Sequence, residues 1–380
     1  MKTSNIIFAT IFVCTLAVSA RAQTPEDAIA LEQQGKLPEA AQAWRAVTER
    51  NPKDAAAFAA LGTVLSKEQR YPEASLAYRR ALALDARLPG VELNLGLAEF
   101  KQGHFGAAAT ALRTALAQDP TSAQVRILLG MSYYGAKKFD LAVEHLEPAA
   151  KADRANAELQ ELLAQSCLWA GRFSCAQEEF QRIVEQNPDS AQAHILTGEA
   201  LDGLGRTEEA IAEFEAAAKI APHEPNVHFG LGYLYWKKQQ YDLAKQEFET
   251  ELEVDPNNPQ ALAYLGDIAW KNDNTETALS FLNRARRITD DLRIVALDLG
   301  EIYLRQKKYG EASAALRRAV ELDPTRADAH YQLSRLYQMS GEKALAEAEL
   351  QKVQELHKKA DESLVGKIAN SPPALDPPEE

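Results

Sequence analysis

The chain has 380 residues, of which 46% are hydrophobic, 26% charged and 7% aromatic. Low-complexity and collagen-like chains are excluded, and the abundance of alanine, leucine, glutamate and lysine predicts a helical protein because these residues favour helices. Its 55 acidic residues outnumber its 42 basic ones, giving a formal net charge of −13. That charge argues against nucleic acids and anionic membranes as partners, since both require a basic surface.

Residues 1–22 have the features of a signal peptide. Lys2 supplies a positive start, residues 6–18 are uncharged and mostly apolar, and Ala20 and Ala22 are small residues at the positions that a leader peptidase reads. We expect cleavage after Ala22 and export to the periplasm or the extracellular space; a retained anchor is the alternative. No later stretch of the sequence is long and apolar enough to span a bilayer, so we expect no direct membrane insertion after cleavage.

An alanine then recurs at steps of 34 residues along the chain. The series is Ala40, Ala74, Ala108, Ala142, Ala176, Ala210, Ala244, Ala278, Ala312 and Ala346. Ten hits without an insertion or deletion predict a tandem array of repeats.

Three other series keep the same register. Small residues within a helix are Gly62, Gly96, Gly130, Gly198, Gly232, Gly266 and Gly300. Prolines between repeats are Pro52, Pro120, Pro188, Pro222, Pro256 and Pro324. Glycines in the middle of a repeat are Gly35, Gly103, Gly171, Gly205 and Gly341. Glycine inside a helix requires a packing reason, which two helices approaching closely through facing small side chains would supply. Proline stops a helix, so each repeat is predicted to be two closely packed helices with a short turn between them.

With these series, the sequence resembles the tetratricopeptide repeat family, whose pattern is a small residue with leucine in the first helix (helix A), alanine with an aromatic in the second (helix B), and then proline. The resemblance implies an all-α, right-handed α-solenoid of about ten helix-turn-helix repeats over residues 23–360. The repeats would start near residues 21, 55, 89, 123, 157, 191, 225, 259, 293 and 327. Residues 361–380 are predicted to be a disordered tail rich in proline and acidic residues. Glu251 replaces a usually small core residue, and we expect a locally looser junction there.

The resemblance also implies that the A helices line a concave surface along which a partner peptide lies. The candidate residues on that surface are Tyr134, Trp169, Glu199, Asp202, Phe229, Tyr233, Trp236, Asp267, Trp270, Glu301 and Tyr331. Aromatic side chains beside carboxylates favour a protein or peptide partner with apolar anchors and basic residues. In the alternative interpretation, Trp236 and Trp270 are partly buried and fill gaps between neighbouring hairpins.

Two cysteines, Cys167 and Cys175, remain after removal of the leader. They lie in helix A and helix B of one repeat, and an even count in an oxidising compartment favours a disulfide. The alternative is a buried Cys167 that packs as a small apolar residue, with Cys175 free.

The sequence has no catalytic constellation, metal-ligand spacing or phosphate-binding loop that we can recognise, so we expect no enzyme activity, metal or cofactor. Our leading hypothesis is an exported adaptor or scaffold that binds a partner segment along the A-helix groove. The alternative is a structural component of an envelope secretion or polysaccharide-export machine, assembled through self-association or end surfaces.

Overall fold

The computed structural model describes residues 24–369, with side chains up to residue 362. Within that range every regular element is a helix, so the all-α prediction is confirmed. The chain divides into two compact units, an N-terminal unit up to Arg172 and a C-terminal unit from Phe173 onward. The predicted signal peptide and most of the predicted tail lie outside the described residues.

The N-terminal unit contains nine described helices, and the first eight pack as four successive hairpins. They are α1 (Pro25–Gln33), α2 (Leu37–Arg50), α3 (Ala55–Lys67), α4 (Tyr71–Leu84), α5 (Val91–Lys101), α6 (Phe105–Gln118), α7 (Ala123–Gly135), α8 (Phe139–Ala152) and α9 (Ala157–Trp169).

The C-terminal unit begins with one helix and continues with five hairpins. Its described helices are α10 (Phe173–Gln186), α11 (Ala191–Gly203), α12 (Thr207–Ile220), α13 (Val227–Lys237), α14 (Tyr241–Val254), α15 (Pro259–Lys271), α16 (Thr275–Ile288), α17 (Arg293–Arg305), α18 (Tyr309–Leu322), α19 (Ala327–Ser340) and α20 (Lys343–Ala369).

Two predicted boundaries differ from the structure for local reasons. Helices α5 and α13 begin at Val91 and Val227, two residues after the predicted repeat starts, because Gly90 and Asn226 occupy the N-cap position with φ of 75° and 70°. A residue with a left-handed backbone cannot belong to an α-helix, so each helix begins at the residue that follows its N-cap.

The last described helix, α20, continues past residue 360 to Ala369. Residues 361–369 contain no proline, and the first helix-breaking residue of the tail is Pro372. The disordered tail over residues 361–380 stays a prediction, and residues 370–380 lie outside the described part of the chain.

The short turn that follows each helix A places one residue in the left-handed region. These residues are Gly35, Gln69, Gly103, Lys137, Gly171, Gly205, Gln239, Asp273, Lys307 and Gly341, again at steps of 34. Sequence patterns identified only the glycines, because the other five side chains are rarely found in this conformation. The common turn geometry is thus imposed by the hairpin packing as well as by residue preference.

The periodic glycines of the A helices face large side chains rather than the small side chains that we predicted. A Cβ at Gly232 would lie 2.7 Å from the ring of Phe248, and one at Gly266 would lie 2.6 Å from Leu282. Phe248 and Leu282 are fully buried. Each glycine therefore forms the hollow into which a bulky helix-B residue packs, and this contact builds the core of the hairpin.

The junction at Glu251 is well connected, not loose as we predicted. Glu251 is fully buried, and its carboxylate accepts hydrogen bonds from the backbone N–H groups of Asn226 (2.9 Å) and Phe229 (3.1 Å) and from Asn258 Nδ2 (3.2 Å). Because the Asn226 side chain does not cap α13, the carboxylate of α14 does so instead, and the negative charge suits a helix N-terminus. Glu251 therefore joins α13, α14 and the cap of α15.

Candidate partner-binding site

An aromatic cluster forms in the C-terminal unit where α13, α14 and α15 meet. Its centre is Tyr264, whose ring lies 4.9 Å from Trp236, 5.8 Å from Tyr233 and 5.4 Å from Phe248. Burial raises the pKa of the Tyr264 hydroxyl far above its usual range. Tyr264 was not among the site residues predicted from the sequence. Its ring contacts both Tyr233 and Trp236, so the three side chains form one packed group.

The indoles of Trp236 and Trp270 are each hydrogen-bonded to a carboxylate on the next A helix. Trp236 Nε1 donates to Asp267 Oδ2 (2.6 Å), and Trp270 Nε1 donates to Glu301 Oε2 (3.0 Å). Both tryptophans are half-buried. The aromatic and acidic residues that we predicted to recognise a partner therefore also form pairs between neighbouring repeats.

Asp267 does not present a free carboxylate to a partner. Its side chain is 3% exposed and also forms an ion pair with Lys271. The ammonium of Lys271 lies over the Trp236 ring, 5.4 Å from its centroid, and the guanidinium of Arg305 lies 4.3 Å from the Trp270 centroid. The protein's own cations thus cover one face of each indole.

Between these pairs lies a cleft of about 520 Å³, which we call the A-helix cleft. Its lining residues come from α13, α15 and α17 and from the start of α19. They are Tyr233, Trp236, Tyr264, Asp267, Trp270, Lys271, Arg293, Ile294, Leu297, Asp298, Glu301, Arg326 and Asp328. Seven of these residues are charged and six are aromatic or apolar, so the cleft suits a peptide side chain that has both a charged and an apolar part.

Asp298 is the unusual residue of the A-helix cleft. It is 4% exposed, and its Oδ2 atom has no hydrogen-bond partner. Burial raises the pKa of the Asp298 carboxyl well above its usual range, and the neighbouring Asp267 raises it further. A buried acceptor without a donor is costly, so this carboxyl is the strongest sign of a binding function in the cleft.

Asp298 could have been found from the repeat register. It directly precedes Leu299 and Gly300, the position that holds Leu196 and Tyr264 in two other repeats of the unit. The other two repeats have an uncharged residue at this position. The charge of Asp298 was therefore the signal by which the sequence could have identified it.

Arg293 also lines the cleft, and its guanidinium already forms an ion pair. One of its terminal nitrogens pairs with Asp328, which Arg326 also approaches at 3.4 Å. The Nε atom of Arg293 is buried without a partner, and burial lowers the pKa of the guanidinium.

Other predicted site residues of the C-terminal unit do not line the cleft. Tyr331 is 49% exposed, and Asp202 accepts a hydrogen bond from Lys237 (2.6 Å). Phe229 packs on Phe248, with 5.8 Å between ring centroids. Glu199 is exposed, although desolvation by the surrounding protein still raises the pKa of its carboxyl.

The predicted residues of the N-terminal unit form their own contacts. The Tyr134 hydroxyl donates to Gln165 Oε1 (2.9 Å), repeating the aromatic-to-polar pairing of neighbouring A helices. Trp169 is 58% exposed and lies 6.3 Å from the Phe139 ring. Cys167 is fully buried in α9, and the disulfide between Cys167 and Cys175 stays a prediction.

Sequence reasoning missed a repeated histidine–glutamate pair. The Nδ1 atom of His194 lies 2.6 Å from Glu213 Oε2, and that of His228 lies 2.7 Å from Glu247 Oε2. The histidine and the glutamate each recur after 34 residues. This spacing could have revealed the pair, whereas metal-ligand spacing could not. Each pair connects helix A to helix B of one hairpin, which is a structural role.

Tetratricopeptide repeat models match most of the chain: one matches residues 26–89, 162–225 and 229–292, another 99–165 and 203–251, and a third 300–341. The chain belongs to the tetratricopeptide repeat (TPR) family. The resemblance seen in the sequence is thereby confirmed. No curated protein matches the chain significantly.

The chain is also similar to several solved structures. The crystal structure of the APC/C hetero-tetramer Cut9–Hcn1 is 16% identical, with a TM-score of 0.54 over 87% of this chain and 80% of that one. MamA from Desulfovibrio magneticus RS-1 is 18% identical, with a TM-score of 0.40 over 45% of this chain and 96% of that one. YrrB, described as a TPR protein with an unusual peptide-binding site, is 24% identical, with a TM-score of 0.38 over 50% of this chain and 99% of that one. The Cut9 likeness supports the fold alone.

Two further observations concern the described part of this TPR chain. Its histidines, cysteines and carboxylates do not gather in groups of three or more that could hold a metal ion. Each of its described helices is too short or too polar to cross a bilayer.

Proposed function

We propose that this TPR protein is a protein–protein interaction scaffold that binds a segment of a partner protein in the A-helix cleft of its C-terminal unit. One observation carries the proposal: the cleft combines half-buried indoles with a buried carboxyl that lacks a hydrogen-bond donor. An extended or helical segment would supply apolar contacts to Ile294 and Leu297 and a donor to Asp298.

A pair of matched substitutions tests the location of binding. Leu297→Arg places a long charged side chain in the cleft, whereas Leu243→Arg places it on α14, where Leu243 is 45% exposed. With the full mature chain as bait in extracts of its source cells, we expect Leu297→Arg to reduce partner capture by about tenfold, because a charge buried against the guest segment costs well over 1 kcal/mol.

Leu243→Arg should leave capture unchanged, and both variants should keep the circular dichroism spectrum of the parent. Loss of capture in Leu243→Arg alone would move the binding surface to the B helices. Equal capture by both variants, together with oligomers in light scattering, would favour the alternative structural role through self-association.

We also propose that the protein is exported, and the support comes from the charge, apolar stretch and small residues of residues 1–22. Export predicts that the mature protein begins at Gln23. Mass spectrometry of the purified protein after expression with its native N-terminus would measure this, and an intact Met1 in the extracytoplasmic fraction would contradict cleavage.

A further inference from the structure

We propose that the A-helix cleft holds one basic side chain, arginine or lysine, of the bound partner, with Asp298 as its counter-ion. This inference rests on the proposed function and specifies the chemistry of the guest. It follows from the charges that line the cleft, taken one by one.

The cations of the lining already have anionic partners. Lys271 pairs with Asp267, and both Arg293 and Arg326 pair with Asp328. The indole faces are likewise covered, by Lys271 and by the nearby Arg305. Lys271 and Arg293 also lie near Asp298 and lower the pKa of its carboxyl, but neither donates a hydrogen bond to its Oδ2 atom.

Two lining carboxylates, Asp298 and Glu301, form no direct ion pair with a described residue, although Lys271 and Arg293 lie near Asp298. Glu301 is satisfied by neutral donors, since it accepts from Trp270 Nε1 and from Gln332 Nε2 (2.8 Å). Asp298 Oδ2 has no donor at all. A guest cation would therefore supply the missing hydrogen bond and compensate the local excess of negative charge.

The lining of the site suits a long basic side chain. Its alkyl part would pass Ile294, Leu297 and the edge of Trp270, which all line the cleft, before the charged end reaches Asp298. Arginine and lysine both combine an apolar stem with a charged head.

Binding of a cation should depend on pH. The groups that face Asp298 are Asp267 and Lys271 on α15 and Arg293 and Glu301 on α17, and burial with Asp267 raises the pKa of the Asp298 carboxyl. Below that pKa the free protein holds a proton that the guest must displace, so affinity should rise with pH through the pKa and level off above it.

The test uses the full mature chain and short peptide probes. Acetyl-Leu-Arg-Leu-amide and its lysine analogue are compared with the citrulline analogue, which keeps the shape of arginine but has no charge and carries a carbonyl oxygen in place of one guanidinium nitrogen. Binding is followed by the indole N–H NMR signals of Trp236 and Trp270, assigned with Trp→Phe variants. We expect the basic probes to bind about tenfold more tightly than citrulline.

Asp298→Asn should abolish this preference and its pH dependence, whereas Asp291→Asn, an equal charge change at an exposed residue, should alter neither. Asp298→Asn should also unfold at a temperature no lower than the parent, because it removes an uncompensated buried carboxyl, so lost binding cannot be ascribed to misfolding. Equal affinity for arginine and citrulline, or an unchanged preference in Asp298→Asn, would overturn the inference.

The two proposals fail separately. If the probes show no preference while Leu297→Arg still abolishes partner capture, the basic side chain is wrong and the scaffold function stands. If the probes bind as expected while Leu297→Arg captures the partner normally, the partner binds elsewhere on the protein.

Discussion

Glu251→Ala should lower the free energy of unfolding by about 3 kcal/mol, because removing one partner of a buried charged network leaves the others unsatisfied. The side chain is fully buried, and it accepts hydrogen bonds from the backbone of Asn226 and Phe229 and from Asn258. Alanine would leave two N–H groups of α13 without an acceptor and open a void beneath the helix. Chemical denaturation followed by tryptophan fluorescence measures the change.

Glu253→Ala is the matched control, since Glu253 lies exposed on the same helix. It should change stability by less than about 0.5 kcal/mol. Glu251→Gln should fall between the two, because its amide keeps one acceptor oxygen but turns the other into a donor. Should Glu251→Ala match the Glu253→Ala control, the carboxylate does not cap α13 in solution.

Gly232→Ala should destabilise the protein by about 2 kcal/mol, although helix propensity alone favours alanine by about 1 kcal/mol. The added Cβ would lie 2.7 Å from two ring atoms of Phe248. That ring cannot move aside, because it is fully buried and stacks on Tyr264 at 5.4 Å. The sign of the change therefore separates packing from propensity, and urea denaturation measures it.

Gly310→Ala provides the comparison within the same unit. Gly310 lies in α18, and a Cβ there would meet nothing within 4 Å. It should gain about 0.5–1 kcal/mol from helix propensity. A stabilising Gly232→Ala of similar size would show that the glycine hollow is not needed.

The repeat architecture could be predicted because it rests on residues at a fixed period. A helix contact could be predicted at Ala244 and Gly232, and a turn at Pro256, without knowing which residue each one contacts. The repeat period did not show which side chain packs against each glycine. Gly232 faces Phe248 and not a small residue. Local exceptions such as the left-handed Asn226 shifted a helix start by two residues.

The sequence predicted several of the residues that belong to the candidate site, but not which of them are hydrogen-bonded to each other. Trp236, Trp270, Asp267 and Glu301 were all identified, yet the sequence could not show that each indole donates to a carboxylate of the next A helix. That pairing depends on the stacking of neighbouring hairpins. Asp298 was missed for a related reason, since a carboxyl beside a core leucine becomes informative only when its lack of a donor is seen.

Photo-crosslinking tests the central claim, binding of a partner segment in the A-helix cleft, most directly. Benzoylphenylalanine is introduced at Leu297 in the cleft or at exposed Leu243 on α14, and crosslinked peptides from native extracts are identified by mass spectrometry. We predict that Leu297 captures one recurrent segment with an adjacent arginine or lysine and that Leu243 does not. Crosslinks that are equal at both positions, or found only at Leu243, would contradict binding in the cleft.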